Sequence, residues 1–307
     1  MKKLFHSGRV RRSAPRDPFE KTAVRVSLVS IVGNAALSLF KLFAGVFANS
    51  GAMVSDAVHS ASDVFSSLIV IAGVKMSAKA SDREHPYGHE RFECVAAILL
   101  AMILCITGLF IGYNVVGQLA AGSAREAAVP GMLALAAAII SIICKEAMYW
   151  YTRFYAKRLD SGALMADAWH HRSDALSSVG ALVGVAGARM GVPVLDRVAS
   201  LIICVFIVKA AGDIFMDAVS KMVDRSCNEE TEREILQCAA RQEGVLGVDL
   251  IQTRVFGNKI YVDLEIRSDG TLTLAESHEI AEQVHNAIER QFSKVKHIMV
   301  HVNPSKQ

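Results

Sequence analysis

Long apolar stretches alternate with short polar links over the first two-thirds of the chain, and then the pattern changes. Apolar runs near 23–47, 52–76, 94–119, 130–151, 163–188 and 196–215 each approach the roughly 20 residues a helix needs to cross a hydrocarbon core. Beyond residue 220 charges become frequent and the runs shorten. Thr231–Arg241 reads as an amphipathic helix. Val248–Phe256 and Lys259–Arg267 read as strands around the turn-forming pair Gly257-Asn258. Leu274–Phe292 repeats the helical period, with Leu274, Ile280, Val284 and Ile288 on one stripe, and His297–Val302 reads as a last strand. The order α-β-β-α-β predicts a small open sandwich with its helices on one sheet face. The expected fold class is therefore an α-helical polytopic membrane protein with six transmembrane helices and a C-terminal α+β domain. Three segments follow from the pattern: a basic arm at 1–21, a transmembrane domain at 22–220 and a polar domain at 221–307.

Composition agrees: 52% of the 307 residues are hydrophobic, too many for an ordinary soluble chain. The net charge of +3 decides little, but the placement of Lys and Arg decides orientation. The links at 75–92 and 152–162 hold Lys75, Lys79, Arg83, Arg91, Arg153, Lys157 and Arg158. The links near 49–51 and 121–129 hold only Arg125, and that near 189–196 holds Arg189. By the positive-inside rule the even-numbered links are cytoplasmic, and so are both termini of a multi-pass protein of the cell membrane. The arm carries Lys2, Lys3, Arg9, Arg11, Arg12, Arg16 and Lys21, with no cleavage site of the signal-peptide kind after it. The six cysteines include no CxxC pair and read as small buried hydrophobes rather than disulfides.

One pattern, D-A-x-H-x-x-S-D-x-x-S-S, occurs twice inside the apolar runs. It starts once at Asp56, with His59 and Asp63, and again at Asp167, with His170 and Asp174. His and Asp four residues apart lie on one helix face, a turn apart. Charged groups at mid-span cost about 2.5–3.5 kcal/mol each on insertion scales, so intramembrane ionisable residues are read as functional. Two such helices face to face would assemble two imidazoles and two carboxylates, a four-coordinate set that suits a divalent metal and zinc best. His171 and Arg172 fall off that face, because neighbours on a helix point about 100° apart. Asp56 and Asp167 stand about a turn away, as supporting or capping groups. In the second link Asp82, His85 and His89 surround Pro86 and Gly88 and can converge on a metal. Lys41 reads as snorkelling or facing the bundle interior, and Lys145 and Glu146 as packing or helix-end charges. Gly108, Gly112 and Gly117 favour close helix packing. No phosphate loop or nucleophile elbow is present, which removes an ATP-driven engine.

These residues carry a resemblance. The paired HxxxD motifs, the HPYGH link and the α-β-β-α-β tail are similar to the cation diffusion facilitator family, in particular bacterial exporters of the zinc/iron type. The resemblance implies a homodimeric, usually proton-antiporting exporter of divalent metals with a ferredoxin-like cytoplasmic domain. It implies a transport site at His59, Asp63, His170 and Asp174, a loop site at Asp82, His85 and His89, and a charge pair of Arg91 with Asp224 joining the domains. It also implies a third set in the cytoplasmic domain at Asp249, Asp263, His278 and His301. That set departs from a histidine-rich version, with Asn303 where a carboxylate would stand.

The expected function is efflux of Zn2+ against H+ by alternating access. The cofactor-like ion is Zn2+ as cargo, with a regulatory role in the tail. The partners are protons, the lipid bilayer and a second copy of the chain, with no nucleic acid. Two carboxylates neutralise a divalent cation, and imidazole must lose its proton to ligate, so metal and protons compete. The alternatives are the same mechanism with Mn2+, Fe2+, Co2+ or Cd2+, and a membrane metal sensor. An intramembrane metalloenzyme is the weaker reading, because no HExxH or adjacent general base is present; no enzymatic activity is expected.

Overall fold

The computed structural model describes residues 18–47, 51–120, 132–189 and 194–305. Within these, side chains at 45, 51–56, 58, 59, 62, 114, 118–120, 132–135, 181–189, 194–200 and 203 also stand outside the description. The basic arm up to Asp17 and the link residue Arg125 therefore lie outside it, as do the side chains of Asp56 and His59.

Six long helices come first: α1 (Pro18–Phe47), α2 (Gly51–Ser77), α3 (Phe92–Ala120), α4 (Met132–Leu159), α5 (Gly162–Arg189) and α6 (Val194–Met222). The fourth runs eight residues past the expected end at 151, and the sixth seven past 215. Both extensions carry charged residues, Arg153, Lys157 and Arg158 in the fourth and Asp217 and Lys221 in the sixth, which end an apolar run without ending a helix. Helix α1 packs on α2 and α4, α3 on α6, and α5 between α4 and α6. Close packing of α3 on α6 depends on Gly108 and Gly112: a Cβ at Gly108 would lie 2.9 Å from a Val208 methyl, and one at Gly112 2.7 Å from Cys204 Sγ. Among the described residues nothing lies within 4 Å of a Cβ placed at Gly117.

This body is polar within and apolar without. Ser27, Ser30, Asn34, Lys41, Ser60, Asp63, Lys145, Thr152, Asp167, His170 and His171 are buried, whereas Val32, Phe43, Phe65, Ile106, Phe110 and Ile143 are exposed. A water-soluble fold would bear a large penalty for such a surface. Stretches of α1 (Pro18–Ala44) and α3 (Phe92–Gly117) are long and apolar enough, by length and composition, to cross a bilayer. Helices α2 and α5 carry the acidic and imidazole groups that dilute their hydropathy.

The tail is a three-stranded sheet with two helices. Helix α7 (Glu229–Ala240) leads into β1 (Gly247–Phe256) and β2 (Lys259–Ser268), then α8 (Leu274–Gln291) and β3 (Val295–Pro304). The sheet order is β1-β2-β3, with β1 antiparallel and β3 parallel to β2. Ile260, Val262, Leu264 and Ile266 alternate onto one face and pack with Ile235, Ile280, Val284 and Ile288. Leu274, expected on that stripe, is 88% exposed at the first position of α8. A capping box starts α8: the Thr273 hydroxyl accepts from the Glu276 amide, and the Glu276 carboxylate accepts from the Thr273 amide at 2.8 Å. The β1–β2 hairpin turns through Gly257 at φ 63 and Asn258. A left-handed first turn residue is the position glycine fills without strain.

Candidate metal centres

The second copy of the repeated pattern sits mid-helix on α5 and faces α2. There the Asp63 carboxylate, 2% exposed, meets His170 Nε2 at 3.3 Å. Donor atoms of Asp63, His170 and Asp174 all fall within 4.8 Å of one another. The side chain of His59, the remaining member of the expected quartet, lies outside the described residues. The helical period explains the convergence: His170 and Asp174 share a face one turn apart, and Asp63 arrives from the neighbouring helix.

Sequence reasoning missed one member. Lys145, expected as a packing or helix-end charge, is instead inside the cluster because α4 continues beyond it. Its Nζ donates to Asp63 Oδ2 at 2.6 Å, Asp174 Oδ2 at 2.9 Å and Asn34 Oδ1 at 2.9 Å. A lysine in a long apolar run was the available signal. Glu146 points the other way, accepting from Trp150 Nε1 at 3.0 Å and pairing with Arg172 at 3.7 Å. Arg172 in turn lies over the Tyr149 ring, 4.4 Å from its centroid.

A second polar layer lies about a turn away along α5. Asp167 is fully buried and accepts from Ser66 and Ser67, the serines that close the first copy of the pattern. It thus ties α5 to α2 directly rather than capping a helix. His171 points away from the carboxylate cluster to Ser30 at 3.2 Å and to Asp167 at 3.7 Å. Lys41 faces the interior and donates to Ser60 at 2.9 Å.

The link between α2 and α3 forms a second cluster. Asp82 accepts from the backbone amides of Glu84 and His85 at 3.1 and 2.8 Å, which curls the link around its carboxylate. His85 Nδ1 and His89 Nε2 each stand 3.5 Å from that carboxylate, and the two rings lie 4.5 Å apart. The Lys79 ammonium and the His85 amide hold the Asp82 carboxyl far below the usual carboxylate range. His89 is buried against Phe92, and its Nδ1 has no hydrogen-bond partner among the described residues.

This link is fastened to the tail. Arg91 pairs with Asp224 and stacks over Phe256, 4.6 Å from the ring centroid. Lys296 pairs with Glu90, and the Tyr261 hydroxyl donates to the Tyr87 carbonyl at 2.6 Å. A cavity of about 370 Å³ lined by His85, Tyr87, Arg254 and Tyr261 lies at the junction. On the far side Asp160 pairs with Lys221 and Lys294. Burial pushes the Asp160 carboxyl up, but the two ammonium groups outweigh it and hold it below its ordinary value.

The four tail residues expected to form a third site do not meet within the chain. Asp263 and His301 alternate onto the sheet face opposite the helices, while His278 stands in solvent on α8 and pairs with Glu282 at 3.9 Å. Asp249 is held by Arg267 at 2.6 Å and by Asn303 at 3.3 Å. Asn303 also donates to Glu265 at 3.1 Å, so it bridges two carboxylates. The reason is the layering: a sheet separates its two faces, and residues on α8 cannot reach the other side.

An apolar jacket around a buried carboxylate–imidazole cluster, with a polar α+β tail, defines an integral membrane protein built to handle a cation inside its helix bundle. Comparison with known proteins supplies the family. The cation efflux transmembrane domain matches residues 27–223 and the cation efflux protein cytoplasmic domain matches residues 227–305. The chain belongs to the cation diffusion facilitator family, whose members are divalent cation efflux transporters rather than enzymes. It is 36% identical to an uncharacterised transporter of Methanocaldococcus jannaschii, over 90% of this chain and 96% of that one. It is 31% identical to the manganese efflux system protein MneP of Bacillus subtilis, over 93% and 97% of the two chains. It is also 31% identical to the magnetosome protein MamB of a Magnetospira strain, over 88% and 92%. Among solved structures, a MamM C-terminal domain in its manganese form is 28% identical over 25% of this chain and 98% of that one, with a TM-score of 0.25.

Proposed function

We propose that the chain is a homodimeric, proton-coupled exporter of a divalent transition metal, with zinc the first candidate cargo. The observation that carries this reading is the meeting of Asp63, His170 and Asp174 donor atoms within 4.8 Å inside a jacket of apolar side chains. Together with His59 they make the N2O2 set that favours zinc. Residues 22–220 form six transmembrane helices, 1–21 a cytoplasmic arm, and 221–307 a ferredoxin-like domain on the same side as both termini. Metal enters from the cytoplasm, the bundle rocks, and protons arriving from outside displace it, because carboxylate and imidazole ligands bind protons and metal in competition. Asp82, His85 and His89 hold a second ion beside the tail, and the Arg91–Asp224 pair fastens the two domains while the bundle moves. Occupancy of the tail by metal requires ligands from a second copy of the chain, since Asp249, Asp263, His278 and His301 do not meet within one.

Manganese is the second reading, favoured by the similarity to a manganese efflux protein. The experiment is flux in proteoliposomes under an imposed pH gradient, with Zn2+, Mn2+, Fe2+, Co2+ and Cd2+, for wild type and Asp174→Ala. Zinc flux that follows the gradient and vanishes in the variant is expected. Manganese or iron flux without zinc flux overturns the choice of cargo, and binding without flux of any ion overturns transport.

A further inference from the structure

The Lys145 ammonium is an unusual neighbour for a cation site. It is 2% exposed, lies in the middle of α4, and donates to one oxygen each of Asp63 and Asp174, at 2.6 and 2.9 Å. These are two of the carboxylates that would grip a transported ion. A divalent cation shared by the two acids needs the position between their oxygens, and an ammonium held there by hydrogen bonds excludes it on both volume and charge. Two carboxylates balance one divalent ion; with the ammonium also between them the cluster would carry an uncompensated positive charge in a low-dielectric interior. Metal and ammonium are therefore alternatives. The structure supplies a place for the ammonium to go: the Asn34 carbonyl oxygen on α1 already accepts from it at 2.9 Å and is not one of the acids.

We propose that Lys145 is a tethered competitor of the transported cation, which takes the same carboxylate oxygens, withdraws toward Asn34 when metal binds, and returns as metal leaves. The proposal rests on the reading of Asp63 and Asp174 as cargo ligands. It assigns Lys145 two tasks. The ammonium weakens cargo binding enough for release, and it keeps the acid pair charge-compensated while the carrier reorients without cargo. Because α4 and α1 contribute the lysine and its alternative acceptor, while α2 and α5 contribute the acids, the exchange links cargo binding to the packing of four helices.

The test is metal binding and efflux by the full chain, carrying Asp82→Ala and His85→Ala so that the loop cluster does not contribute. Zn2+ and Mn2+ alone are the probes, and Lys145→Met, Lys145→Gln, Lys145→Arg and Asp174→Ala are compared in that background. Removing one positive charge from beside the ligands should tighten cation binding by about tenfold or more in Met and Gln. Lys145→Arg keeps the charge and should stay near wild type or bind more weakly. In transport, the neutral variants should show a lower KM together with a lower kcat, because cargo is held better and released more slowly. A merely structural lysine predicts the reverse, weaker binding and a higher KM, and that outcome overturns the proposal, as does unchanged affinity. Neutral variants recovered in folded form only when purified with metal would support it, since metal then replaces the missing charge. Variants that aggregate with and without metal would overturn it. If Asp174→Ala binds metal as tightly as its parent, the ligand reading itself fails. Loss of binding in Asp174→Ala with no tightening in Lys145→Met leaves that reading standing and removes the competitor.

Discussion

Replacing Gly257 by alanine should loosen the join between the tail and the link that carries Asp82, His85 and His89. Gly257 has φ 63, and a Cβ there would lie 2.6 Å from the Glu90 carbonyl oxygen and 2.9 Å from the Glu90 Cβ. A left-handed conformation costs a residue with a Cβ about 1–2 kcal/mol. The collision is with backbone, which cannot rotate away, so the hairpin tip must lift from the link. Lifting it parts the Tyr261 hydroxyl from the Tyr87 carbonyl, now 2.6 Å away, a bond worth about 1 kcal/mol net. The left-handed strain is present docked or undocked, so the shift in docking comes from the collision: overpacking of this kind costs about 1–3 kcal/mol, which corresponds to about 5- to 150-fold in the population of the docked arrangement relative to the undocked one. The assay is hydrogen exchange by mass spectrometry on the full-length chain, following the peptide over 81–91. Its amides should exchange faster by about that factor, while strands β1 and β2 keep their protection away from the tip. Gly212→Ala is the control, because among the described residues a Cβ there meets nothing within 4 Å. Unchanged exchange over 81–91 in the Gly257 variant would refute the claim that this contact fastens the two parts.

Other expectations follow from the same contacts. Asp82→Asn should weaken metal binding to the link by about tenfold or more, read by equilibrium dialysis in an Asp174→Ala background; equal binding would show that Asp82 is not a ligand. Thr273→Ala removes the capping box of α8 and should destabilise the tail by about 1 kcal/mol, seen as a lower thermal midpoint for its unfolding; no shift would mean the cap contributes nothing. Asp160 has a depressed affinity for protons, so its stabilisation of the junction is complete above the ordinary carboxylate range and is lost as pH falls through its lowered value. Asp160→Asn should therefore flatten the acid-side decline in thermal stability, and a parallel decline in wild type and variant would contradict the ion-pair account.

Much of this protein was legible in the order of its residues. Apolar run lengths located the six long helices, because the outward faces of the bundle are apolar. The tail strands and helices emerged from their periods of two and 3.6. The repeated pattern named Asp63, His170 and Asp174, since ionisable groups are costly in apolar runs and persist there for a reason. The links 75–92 and 121–129 differ in Lys and Arg, and that difference carried the expected orientation.

Other features depended on the third dimension. Lys145 looked like a packing or helix-end charge because charge marks the end of an apolar run, yet α4 continues and packing carries its ammonium to two acids from other helices. Asp167 looked like a supporting or capping group; neighbouring α2 supplies Ser66 and Ser67 to bind it, which makes it a support. The tail set Asp249, Asp263, His278 and His301 looked plausible as a list; the sheet puts its members on opposite faces. Local sequence fixes which residues share a face of one element, because that follows from backbone geometry alone. Which faces meet is decided by packing among elements distant in the chain, and there the carboxylates found their lysine.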